Sequence, residues 1–66
     1  MDAVKELVAE LDAEVEEIQN EINLAEGKEK FTYANSNTIR KRALEITKIA
    51  KELRKVTQEY YLSNKQ

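Results

Sequence analysis

Residues 4–27 read VKELVAELDAEVEEIQNEINLAEG. Val4, Val8, Leu11, Val15, Ile18, Ile22 and Ala25 recur at alternating intervals of four and three. That spacing returns to one side of an α-helix every two turns, so it predicts a helix over residues 2–26 with an unbroken heptad seam. Asp2 is placed to cap its start, and acids in the first turn suit the positive helix end. Gly27 is the chain's only glycine and the expected stop, because glycine accepts a positive φ at little cost.

The second half repeats the spacing. Ile39, Ala43, Ile46, Ala50, Leu53, Thr57 and Tyr60 form a seam, with Tyr60 read as core, and Ile49 and Val56 widen it. A helix over residues 32–62 is predicted. Thr32 is the favoured N-cap, with Asn35, Ser36 and Asn37 also usable, and Ala34–Asn37 (ANSN) has low helix propensity and should make a weak first turn. The tail from Leu62 to Gln66 is expected to fray. Two amphipathic helices joined by a turn over residues 27–31 fold back on each other. The fold class is therefore all-α. It is a single-domain, coiled-coil-like antiparallel hairpin over residues 1–66, with Phe31 capping its open end. Matching the seams gives layers Val8–Leu53, Leu11–Ala50, Val15–Ile46, Ile18–Ala43 and Ile22–Ile39, and brings Glu21 near Arg42.

A 66-residue chain buries only about 60% of its unfolded surface and needs extra support. With no Cys and no His, disulfides and soft-metal sites are excluded, which leaves self-association. The seams leave Leu7, Ile49 and Val56 as an apolar strip along one edge. Such a strip predicts a homodimer, two hairpins forming a four-helix bundle. The acidic start is unlike a secretion signal, and no apolar run approaches the ~20 residues of a membrane span. No cofactor, metal, membrane or small-molecule substrate is expected. Nothing arranges a nucleophile with a base, so the reading is non-enzymatic.

The net charge of −2 conceals a division. Residues 1–26 carry nine acids and one base, and residues 27–66 carry ten bases and four acids. Lys41–Glu45, Lys48–Glu52 and Lys55–Glu59 are spaced as helical i, i+4 pairs. Arg40, Lys51 and Arg54 have no acid at helical spacing on their own helix. Arg40, Lys41, Lys48, Lys51, Arg54 and Lys55 are thus the candidate phosphate contacts for duplex DNA, with the unpaired Arg40, Lys51 and Arg54 mattering most. The competing function is a helical protein–protein interaction module that binds no DNA.

Arg40-Lys41, Leu44-Glu45, Lys48 and Lys51-Glu52-Leu53-Arg54-Lys55-Val56-Thr57 give this stretch a family resemblance. With the opening Lys5-Glu6-Leu7-Val8, it resembles the chlamydial-type bacterial histone-like family of nucleoid proteins. That resemblance implies a small two-helix, cytoplasmic, nucleoid-associated protein that binds duplex DNA without sequence preference. Three features differ from the family. Phe31–Ser36 replaces its Gly-Asn-Lys-Ala-Ala-Gly segment, the Lys/Ala-rich tail of the chlamydial members is absent, and the chain is net acidic rather than basic.

Overall fold

A computed structural model describes residues 1–64. Two helices, α1 (Asp2–Gly27) and α2 (Tyr33–Asn64), pack together as a hairpin. It measures 56 × 15 × 10 Å. Leu62, Ser63 and Asn64 continue α2, and Asn64 Nδ2 donates to the Tyr60 carbonyl at 2.8 Å. Lys65 and Gln66, the rest of the tail expected to fray, lie outside the described residues. Asp2 is the first helical residue rather than the cap. Met1 holds the cap position without a side-chain hydrogen bond, so Asp2 acts only through its charge in the first turn.

The turn is set by two capping motifs. Lys30 N–H donates to the Ala25 carbonyl at 3.0 Å and Glu29 N–H to the Glu26 carbonyl at 3.0 Å. Those two bonds are the Schellman pattern that ends a helix, and its left-handed residue is Glu29, with φ 53°. Gly27 has no positive φ and stays inside α1. The expected glycine stop is therefore displaced by two residues, because one more stretch of α1 carries Ala25 into the seam. Thr32 caps α2 as expected. Asn35 N–H donates to Thr32 Oγ1 at 3.2 Å, and Thr32 N–H donates back to Asn35 Oδ1 at 2.8 Å. This reciprocal box fixes Tyr33–Asn35 in the first helical turn despite their low propensity.

The seam differs in rotation from the expected one. In α1 the covered positions are Val4, Leu7, Leu11, Glu14, Ile18, Glu21 and Ala25, with Ile22 half-buried beside them. In α2 they include Asn35, Ile39, Arg42, Ile46, Ile49, Leu53 and Val56. Both series keep heptad spacing. Val8 and Val15, expected to face α2, are 43% and 55% exposed. The reason is polar. Arg42 Nη1 donates to both carboxylate oxygens of Glu14 at 3.4 Å, and Asn35 Nδ2 donates to Glu21 Oε2. Arg42 thus pairs with Glu14 rather than with Glu21. Turning both helices to satisfy these four side chains moves Val8 and Val15 to a flank. It also draws Leu7, Ile49 and Val56 off the free edge and into the hairpin's own seam, half-buried. Tyr60 is 44% exposed and Phe31 is also exposed, so neither closes the core. Ala25, at 5%, is the one buried residue among those described.

Two stability measurements check this turn and seam. Gly27→Ala should stabilise the protein by about 0.5 kcal/mol, since a helical glycine gains from a Cβ. The space beside Gly27 is open. Glu29→Gly should add about 1 kcal/mol by relieving the left-handed side chain. Urea melts at one protein concentration read both, and a loss on Gly27→Ala would put the left-handed residue at 27. In the seam, Arg42→Ala should cost about 1–2 kcal/mol by stranding Glu14, whose side chain is only 17% exposed. Glu14→Leu combined with Arg42→Leu should be neutral or stabilising. A double variant as weak as the single one would show that the pair is needed for more than mutual neutralisation.

Candidate nucleic-acid interface

With Asn35, Arg42, Ile49 and Val56 turned inward, the opposite side of α2 is fixed. Arg40, Lys41, Lys48, Lys51, Arg54 and Lys55 are all exposed there. Arg40 to Lys55 covers about 22 Å of helix at 1.5 Å per residue. That length matches the backbone of about six base pairs, at 3.4 Å between phosphates on one strand. Arg42, the seventh base of the stretch, is committed to Glu14 and unavailable to a ligand.

The expected ladder of i, i+4 pairs is not what the side chains make. Lys48 Nζ lies 3.6 Å from Glu45, three residues before it, rather than against Glu52. This Glu-before-Lys order is the favourable one on a helix. Apart from it and the Arg42–Glu14 pair, no ion pair forms among the described residues. Lys41 and Lys55 are therefore as free as Arg40, Lys51 and Arg54. Leu44, 64% exposed, sits among the bases with no aromatic partner. Tyr61 was not among the expected contacts, yet it lines one open groove with Lys51, Arg54 and Lys55. The signal in the sequence was its interval of seven from Arg54, two turns along the same side.

The remaining sides of the hairpin carry different chemistry. In an antiparallel pair, the flanking positions of both helices fall along shared edges. One edge gathers Glu10 and Glu17 of α1 with Glu45, Glu52 and Glu59 of α2, all exposed. The other gathers Val8, Val15 and Ile22 with Ala43, Ala50 and Thr57. Lys41 and Lys48 border the acidic edge beside Glu45, so the bases on the outer face of α2 are the ones clear of carboxylates. Among the described residues, no group of three or more His, Cys, Asp or Glu is placed to hold a metal ion. No described helix is long and apolar enough to cross a membrane.

No protein-family model matches the chain, and no curated protein or solved structure shows significant similarity to it.

The acidic edge gives a direct electrostatic test. Glu17→Lys places a cation one turn from Glu14 and Glu21 on the same helix. It should raise stability by about 0.3–0.5 kcal/mol at low salt. The gain should fade towards 1 M salt, where screening acts over about 3 Å. Thermal melts across a salt series measure it, and a salt-independent gain would trace the effect to helix propensity instead.

Proposed function

We propose that the protein is a small, non-enzymatic, nucleoid-associated protein that binds duplex DNA without sequence preference. It acts as a homodimer, two hairpins packed as a four-helix bundle. The observation that carries the DNA reading is the outer face of α2. Six exposed bases lie along it, five of them with no carboxylate in contact among the described residues. Such a face meets phosphates and leaves base edges unread, so affinity is set by charge and not by sequence. The resemblance of Arg40–Thr57 to bacterial histone-like proteins supports the same reading.

A second reading, a helical interaction module without DNA, is favoured by the exposed apolar edge at Val8 and Val15. The two readings differ in one experiment. The chain is net acidic, so affinity should lie in the non-specific range of roughly 10⁻⁴ to 10⁻⁶ M. Gel shifts of duplex DNA at about 50 mM salt should show binding that falls steeply as salt rises. Lys51→Glu with Arg54→Glu should weaken binding equally on unrelated duplexes. No shift at about 50 mM salt with protein in excess would leave the interaction module as the surviving function.

A further inference from the structure

The hairpin does not enclose a core of its own. Ala25 is its one buried residue among those described. The chain exposes 5499 Å², whereas a compact monomer of 7.7 kDa would expose about 4,300 Å². The excess, about 1,200 Å², exceeds the roughly 800 Å² that each partner gives to a stable interface. An edge exists to supply it. Val8, Val15 and Ile22 recur every seven residues along the flank of α1, and Ala43, Ala50 and Thr57 run along the same flank of α2, all exposed except the half-buried Ile22 and Ala50.

We propose that this edge is the self-association surface, with α1 of one chain lying on α2 of its partner. Three observations commit it to a second copy. The area is that of a dimer. The shapes are self-complementary under a two-fold axis parallel to the helices. The bulky Val8, Val15 and Ile22 meet the small Ala43 and Ala50, whereas α1 on α1 would set valine on valine and leave the alanines facing a gap. The charges agree as well. Residues 1–26 carry nine acids and one base, and residues 27–66 carry ten bases and four acids. Crossing the helices therefore sets the acidic one against the basic one. The opposite edge is the poorer surface, because Glu10, Glu17, Glu45, Glu52 and Glu59 are charged and exposed there, with no apolar residue repeating among them. Leu7, Ile49 and Val56, already used within the hairpin, help a partner little. The inference deepens the homodimer proposed above and does not depend on DNA.

The test combines mass and cross-linking. Light scattering of the unaltered protein at tens of micromolar should give the dimer mass, and a monomer would end the self-association reading itself. Val15→Glu and Ala43→Glu should each weaken the dimer by about tenfold or more, equivalent to 1.4 kcal/mol. Glu16→Lys, on the outer side of α1, should not. If the weakened chains also lose helix, cross-linking still decides, because the protein has no native cysteine. Val15→Cys chains mixed with Ala43→Cys chains should form a disulfide-linked mixed dimer on mild oxidation, in preference to either homodimer. A dimer whose mass persists through Val15→Glu, or one that links Val15→Cys to itself most readily, would overturn this surface while leaving dimerisation intact.

Discussion

Two polar contacts across the hairpin decide which side of each helix faces inward. Glu14 holds Arg42, and Glu21 holds Asn35. Each donor lies seven residues from the other on α2, and each acceptor seven from the other on α1, so one rotation satisfies both. Arg42 cannot shed its charge, and its contact with Glu14, whose side chain is 17% exposed, keeps that carboxylate from lying unpaired in the seam. A few polar groups in an otherwise apolar interface commonly select one geometry among several of similar apolar burial. Asn35 has a second task. The same side chain closes the Thr32 capping box, so the start of α2 and the rotation of α2 are fixed together.

The two helices, the fold-back and the Thr32 cap were legible in the sequence because each rests on a local rule. Heptad spacing names the helices, and Thr32 is a residue type that caps them, although the part Asn35 plays in closing the cap was not visible. The rotation was not legible from apolar spacing. Val4, Leu11, Ile18 and Ala25 belong to both possible seams of α1, and only the positions between them differ. Counting hydrophobic residues favours Val8, Val15 and Ile22. It assigns no value to Glu14 and Glu21, which become inward residues only when Arg42 and Asn35 stand opposite. Gly27 misled for a related reason. Glycine tolerates a left-handed conformation but does not compel one. The helix ends where Ala25 finishes packing, which puts the left-handed residue at Glu29. Among the site residues, the six bases were visible as a pattern. Their freedom from carboxylates was not, since it depends on rotamers that bring Glu45 to Lys48 instead of Lys41.

The same rotation sorts the surface into three chemistries. Bases occupy the outer face of α2, glutamates line one edge, and Val8, Val15 and Ala43 line the other. Each surface therefore suits a different neighbour. In a bundle built on the apolar edge, the two basic faces would point outward on opposite sides. Without a covered edge, a 66-residue chain with a single buried side chain among its described residues would be marginal, because small domains bury too little surface to offset chain entropy.

The inward rotation can be read most directly from methyl and side-chain nuclear Overhauser contacts, with mixed isotope labelling to separate contacts within a chain from those between chains. Within one chain, Leu7 and Leu11 should contact Ile49 and Leu53, and the Glu14 side chain should lie beside Arg42. Val8 and Val15 should show contacts only to the other chain or to neighbours on α1. Intrachain contacts from Val15 to Ile46 and from Val8 to Leu53 would contradict the polar seam and restore the purely apolar one.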